Sequence, residues 1–162
     1  MTVEVNDLNE RLIELLTKKK LTISTAESCT GGLLSALLTD VSGASEVLNE
    51  CIVTYSNAVK EKELEVKHET LEKHGAVSRQ TAEQMAKGIC THTGADIGIG
   101  ITGIAGPTGG TDEKPVGTVF IGISVKGDVH VYKNHFSGTR AQVRESSCIF
   151  ALTKAAELVS EL

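Results

Sequence analysis

The sequence predicts an α/β fold, a three-layer α/β/α sandwich around a mixed, mostly parallel sheet. Helical and strand-like segments alternate through most of the chain, several short strand candidates run straight into polar or glycine-rich loops, and a hairpin near the C-terminal end adds antiparallel pairing. At 162 residues the length suits one domain, which buries about 70% of its unfolded surface. Neither a linker nor an internal repeat interrupts it, so a single domain over residues 1–162 is expected.

The elements follow in order. Leu8, Leu12, Leu15 and Leu16 recur at helical spacing after Asn6, and the helix ends near the Lys18-Lys19-Lys20 run, whose charges suit a helix C-terminus. Leu21 to Thr25 is a strand candidate, Ala26 to Gly32 a tight turn, and Leu33 to Leu38 an apolar helical run. A second strand is expected over Cys51 to Tyr55, with Ser56 or Asn57 capping the next helix. Ser78 can cap a helix whose Ala82, Met85, Ala86 and Ile89 face inward, and Ile97 to Thr102 reads as a buried strand. Val116 to Lys126 and Val129 to Phe136 flank Gly127-Asp128 as a hairpin, with the second strand running antiparallel. From Ser137 or Gly138 the chain turns helical, with Val143, Ile149, Leu152, Ala156 and Val159 as its core stripe.

Composition narrows the function classes. Sixteen basic against 21 acidic residues leave a net charge of -5, the wrong sign for neutralising many phosphates, and two Tyr, three Phe and no Trp give few stacking platforms. Nucleic acid is therefore not the expected partner. No 18-residue apolar run occurs and the N-terminus lacks a basic start, so neither a membrane span nor export is expected and the location is cytoplasmic. Cys29, Cys51, Cys90 and Cys148 are unevenly spaced without a Cys-x-x-Cys pair, which fits reduced thiols. The five histidines show no metal-ligand spacing, so no metal is expected.

In a doubly covered parallel sheet the site gathers at the carboxyl ends of strands, which directs attention to three loops. Ser28 lies where a strand turns into a helix, so its hydroxyl sits near helix-start amides, with the N–H groups of Cys29, Thr30 and Gly31 as candidate oxyanion donors. By spacing alone, a helix cap is the plainer reading of Ser28, because serine is a common N-cap. Cys29 is intrinsically the more reactive group but fits a buried core thiol, since no histidine stands near it in sequence. Tyr55 and Lys60 follow the second strand. A neutral lysine can serve as base for a serine if burial lowers its pKa from about 10.4 toward neutrality, and the alternative is a solvated lysine heading the Lys60-Glu61-Lys62-Glu63 run. The Gly103 to Gly110 loop matches no Walker or dinucleotide pattern, yet its amides can form an anion nest. Arg140 and Arg144, four apart, can share a helix face, with Arg140 the better candidate for a phosphate or carboxylate fork.

Five ordered motifs then carry a resemblance. Thr25-Ala-Glu-Ser-Cys-Thr-Gly-Gly32, Val53-Thr-Tyr-Ser-Asn57 with Lys60, Gly75-Ala-Val-Ser78, Gly103-Ile-Ala-Gly-Pro-Thr-Gly-Gly110 and Lys114-Pro-Val-Gly-Thr-Val119 resemble the C-terminal family of the competence-damage-inducible proteins. That family includes nicotinamide-nucleotide amidohydrolases. The resemblance spans about Leu8 to Val159 and implies the same α/β/α fold with self-association as a homodimer. It implies Ser28 as nucleophile, Lys60 as its base and Tyr55 assisting proton transfers. Cys29, Thr30, Gly31, Thr102, Gly103, Ala105 and Gly106 would line the pocket, and Arg140 would hold the substrate phosphate. The implied reaction removes ammonia from the carboxamide of nicotinamide mononucleotide without a cofactor. One departure stands out: the usual Phe-x-Gly-Asp-Arg segment reads Phe136-Ser-Gly-Thr-Arg140, and Thr139 takes the acidic position.

Overall fold

A computed structural model describes residues 3–162, with side chains described from Asp7 onward. The helices are α1 (Val3–Lys19), α2 (Leu33–Thr39), α3 (Asn57–Leu64), α4 (His68–His74), α5 (Arg79–Thr93) and α6 (Arg140–Ser160). The strands β1 (Ile23–Glu27), β2 (Leu48–Val53), β3 (Ile97–Gly103), β4 (Thr118–Val125) and β5 (Asp128–His135) form one sheet in the order β2-β1-β3-β4-β5. Helices α1, α2 and α6 pack on one face, while α5 covers the other with α3 and α4 beside it. This is the three-layer sandwich that the alternating pattern predicts. Among the described residues no helix is long and apolar enough to cross a membrane.

The two layers of core follow from strand periodicity. Ile97, Ile99 and Ile101 on β3 and Val119, Ile121, Ile123 and Val125 on β4 point into the core shared with α1, α2 and α6. On the opposite face Gly98, Gly100 and Gly122 form a patch without side chains on which the backbone of α5 lies directly. A Cβ on Gly100 would stand 2.7 Å from the Ala86 nitrogen and 2.8 Å from the Met85 Cβ.

Strand direction differs from expectation in the hairpin. β4 runs antiparallel to β3, and β5 antiparallel to β4, so β5 points the same way as β1 to β3 and the first hairpin strand is the reversed one. The cause is the connection: residues 104–117 contain no helix to carry a crossover, so the chain returns beside β3 in the opposite direction. The turn also shifts by one residue. Val125 pairs with Asp128, leaving Lys126 and Gly127 at the tip with φ of 49° and 93°, the left-handed pair that a type I′ turn requires.

β2 begins three residues earlier than expected and ends before Tyr55. It is an edge strand whose polar Asn49 and Glu50 are exposed, so the β-branched run that marked it covers only its second half. Helix α4 was not expected. Its sequence His-Glu-Thr-Leu-Glu-Lys-His buries only Thr70 and Leu71, too few apolar positions to register a period. Elsewhere Ser56 and Ser78 cap α3 and α5 through their side chains, and four of the five stripe residues of α6 are buried, Ile149 being half-buried.

The close α5–sheet contact yields a stability test. Gly100→Ala drives a methyl into helix backbone that cannot move aside, and the expected loss is about 1–3 kcal/mol or more. Urea unfolding should show a lower midpoint with an unchanged slope.

Candidate active site

The strand order places the switch point of the sheet between β1 and β3: the chain leaves β1 for β2 on one side, and β3 lies on the other. Loops at those carboxyl ends diverge and leave a cleft. At the last residue of β1, register aligns Glu27 with Val53 of β2 and Ile101 of β3. One step further, Ser28 N–H donates to the Ile101 carbonyl at 3.0 Å and Thr54 N–H to the Glu27 carbonyl at 2.7 Å. The backbone at Ser28 is thus held on both sides.

Alternation along β1 then sends neighbouring side chains to opposite layers. Ile23, Thr25 and Glu27 face α2, whereas Ala26 packs with Leu64, Met85 and Ile89 of the other layer. Glu27 is wholly buried, and its carboxylate accepts the N–H groups of Gly32 (3.1 Å), Leu34 (3.1 Å) and Ser35 (2.8 Å) together with the Ser35 hydroxyl. These are the orphan donors of the α2 start, where a negative charge is most favourable. The helix-start amides are therefore occupied, and Gly31 N–H donates to the Ser28 carbonyl at 3.1 Å. Only the Cys29 and Thr30 amides of the expected donor set make no backbone bond among the described residues. Gly31 and Gly32, at φ of 58° and 95°, make the left-handed turn that joins β1 to α2.

Ser28 is not a helix cap, since Gly32 holds that position. Its hydroxyl, on the α3 side, accepts an N–H from Lys60 Nζ at 3.1 Å. Lys60 is the fourth residue of α3, aimed inward because Ser56 caps the helix and fixes its start. The side chain is 1% exposed. Its ammonium head also donates to the Thr54 carbonyl at 2.6 Å, so both partners are uncharged. Burial holds the Lys60 pKa below its ordinary value, because the charged form loses water without gaining a carboxylate. Burial has the opposite consequence for Cys29, whose thiol is pushed up to about 11. Cys29 is a neutral thiol at neutral pH, in line with the core role.

The cleft above this pair encloses about 300 Å³ and is lined by Ser28, Cys29, Tyr55, Lys60, Thr102, Gly103, Ala105, Gly106 and Arg140. Nine of the eleven expected site residues therefore meet in one place. Thr30 and Gly31 do not line it, although Thr30 adjoins it through Cys29 and its buried hydroxyl has no partner among the described residues. The Thr102 hydroxyl, 1% exposed, donates to the Ala76 carbonyl at 2.7 Å and so stitches β3 to the segment before α5. Arg140 opens α6, where Thr139 and Gln142 form a capping box; the neutral Thr139 thus fills the capping position that an acidic residue occupies in the resembling family. Arg140 Nη1 donates to the Gly106 carbonyl at 2.8 Å and Nη2 to the Tyr55 hydroxyl at 3.1 Å. One turn on, Arg144 Nη2 donates to the Thr30 carbonyl at 2.7 Å.

Several contributors escape sequence reasoning. The Thr54 and Ala76 carbonyls act through backbone, which residue type does not reveal. Val77 also lines the cleft and was not singled out, whereas Ile104, Thr108 and Gly109 belong to the Gly103 to Gly110 loop that the resemblance puts in the pocket. Glu27 was legible only as a neighbour of Ser28, and its charge had no visible partner before α2 was in place. A larger groove of about 590 Å³ lies between α1 and residues 41–46, but among the described residues none of its hydroxyls is hydrogen-bonded to a lysine or carboxylate, and the Thr17 hydroxyl donates to the Ile13 carbonyl.

Comparison with known proteins agrees with this architecture. The CinA C-terminal domain matches residues 5–159. The chain belongs to the CinA C-terminal domain family. A CinA-like protein of Kosmotoga olearia is 54% identical over 145 residues, and one of Fusobacterium nucleatum 51% identical over 146; each alignment covers 90% of this chain and 35% of the relative. The chain thus spans about a third of the length of the curated relatives it matches. Among solved structures, the competence/damage inducible protein CihA from Agrobacterium tumefaciens superposes with a TM-score of 0.94 at 40% identity, covering 98% of this chain and 99% of that one.

In this CinA C-terminal domain the Glu27 carboxylate is the cap on which the β1–α2 turn depends. Glu27→Gln keeps the shape but presents an amide NH₂ to N–H donors, and the expected cost is about 1–3 kcal/mol. Thermal unfolding should report it as a lowered midpoint, with Asp substitution failing to restore the contacts because the shorter side chain cannot span them.

Proposed function

We propose that this domain is a metal-independent serine amidohydrolase that converts nicotinamide mononucleotide to nicotinic acid mononucleotide and ammonia. The observation that carries the reading is the buried Lys60 amine, 3.1 Å from the Ser28 hydroxyl and without a carboxylate partner. A lysine so placed exists in part as the free amine that a serine nucleophile needs. The family supplies the substrate: its nucleotide-acting members motivate nicotinamide mononucleotide. The cleft supports it by offering Arg140 and loop amides for a phosphate at one end and the Ser28–Lys60 pair at the other.

In the proposed reaction neutral Lys60 takes the Ser28 proton as Oγ bonds to the carboxamide carbon. In this reading the Cys29 amide, free of backbone hydrogen bonds among the described residues, would hold the oxyanion, with the Thr30 amide next to it in the same turn. The Lys60 ammonium returns its proton to the departing amino group, the carbon–nitrogen bond breaks, and ammonia leaves an ester on Ser28. Water then attacks that ester and gives one proton to Lys60, which passes it to Ser28 Oγ as the acyl carbon–oxygen bond breaks; the acid product departs as its carboxylate, releasing the remaining proton to solvent. The electron-poor pyridinium ring makes the carboxamide carbon receptive to each attack.

Ammonia release by purified, chelator-treated protein tests the reading. Wild type should turn over, and Ser28→Ala should lose at least about 10³-fold in kcat, with any sizeable residual rate pointing to Cys29 or an activated water. Folded but silent wild type would favour a nucleotide-binding module or another carboxamide.

The pH profile gives a second test. Because burial lowers the Lys60 pKa, the free amine is populated at lower pH than for an exposed lysine, so kcat/KM should rise with pH along a limb whose midpoint falls below the ordinary lysine range. Lys60→Met should abolish that limb along with most of the activity.

A further inference from the structure

We propose that Tyr55 is a positioning residue for the anion site: its phenol oxygen and the Gly106 carbonyl together hold the Arg140 guanidinium across the cleft rim, ready for a phosphomonoester. The inference rests on the proposed mononucleotide reading and departs from the proton-transfer role that the family resemblance implies for Tyr55.

Three observations carry it. The Ser28–Lys60 pair is complete without a phenol, since the lysine head is satisfied by Ser28 Oγ and the Thr54 carbonyl. The Tyr55 hydroxyl instead meets Arg140 Nη2 at 3.1 Å, across 85 positions of sequence. Packing does not explain the tyrosine either, because its side chain is 63% exposed. What its ring does is reach from the β2–α3 loop to the first residue of α6.

The geometry suits preorganisation. An exposed arginine samples many rotamers and loses that freedom when it grips a ligand. Here two elements fix the plane in advance, the glycine-rich loop through Gly106 and the β2–α3 loop through Tyr55. They occupy one N–H on each terminal nitrogen, and a guanidinium carries five donors in all, so three remain for phosphate oxygens.

The test compares nicotinamide mononucleotide with nicotinamide riboside, which lacks the phosphate. Tyr55→Phe should raise KM for the mononucleotide about 5- to 20-fold with kcat falling less than about threefold, and the change in KM should be larger for the mononucleotide than for the riboside. In an Arg140→Gln background the same change should add nothing, and an unchanged melting midpoint should accompany both. Calorimetric binding of the mononucleotide to Ser28→Ala protein, with and without Tyr55→Phe, reads the same loss in Kd without any turnover. A 100-fold fall in kcat on both substrates at constant KM would overturn the proposal in favour of proton transfer, as would an unchanged Kd. If wild type releases no ammonia while the Kd shift appears, the positioning role stands and the deamidation reading falls.

Discussion

The alternation of side chains at the end of β1 is the constraint on which the site depends. Glu27 and Ser28 are adjacent in sequence, and a strand must send them to opposite faces. One face holds α2, whose orphan amides need an acceptor, and Glu27 provides a carboxylate with no exposure to water. The other holds α3, and Ser28 meets Lys60 there. A one-residue slip of β1 would exchange the two groups, placing a carboxylate beside the buried lysine and a hydroxyl at the helix start. The lysine would then form an ion pair and keep its proton, which would remove the base that the proposed reaction needs. Register therefore sets the electrostatics of the cleft, beyond fixing its shape.

That arrangement is costly in a specific way. A lysine head without water and without a counter-ion is destabilised as a cation, and its two partners, a hydroxyl and a carbonyl, offset only part of the lost hydration. The same low polarity raises the Cys29 thiol to about 11 and so removes the competing nucleophile one residue away. A single environment thus favours the neutral form of both groups, which in the proposed reaction would ready the lysine as base and leave the cysteine inert. The surrounding scaffold must be firm to sustain this, and the glycine face under α5 provides firmness by bringing helix and sheet backbones into direct contact.

Much of this was legible in the sequence, for definite reasons. Long periodic helices and the isoleucine-rich β3 announced themselves, and Ser56 and Ser78 marked the starts of α3 and α5, whereas α6 begins at Arg140, later than the expected Ser137 or Gly138, because Thr139 is the residue that caps it. The meeting of Ser28, Tyr55, Lys60 and Arg140 followed from strand-end logic joined to the family resemblance. What escaped was whatever depends on partners distant in sequence. The reversal of β4 depends on the long loop before it lacking a helix, α4 buries too little to show a period, and the turn of the hairpin is fixed by pairing across the strands. The helix-start amides looked free because their acceptor, Glu27, reads locally as a strand residue. Backbone acceptors such as Thr54 and Ala76 leave no mark on residue type at all.

Helix α6 supplies the last link between fold and cleft. Its capping box fixes the first turn, and from that turn Arg140 reaches the glycine-rich loop and Tyr55 while Arg144 reaches the Thr30 carbonyl in the nucleophile turn. Spacing of four puts both arginines on one face, so a single rigid helix sets the distance between the turn bearing Ser28 and the rim that would take a phosphate. Further along the same side of the helix, Val143, Ala151, Leu152 and Val159 anchor it in the core shared with α1 and α2. A ligand anchored at the rim is thereby held at a defined distance from the nucleophile, and for an enzyme of the proposed kind that fixed distance converts binding of a remote phosphate into alignment of the reacting carbon.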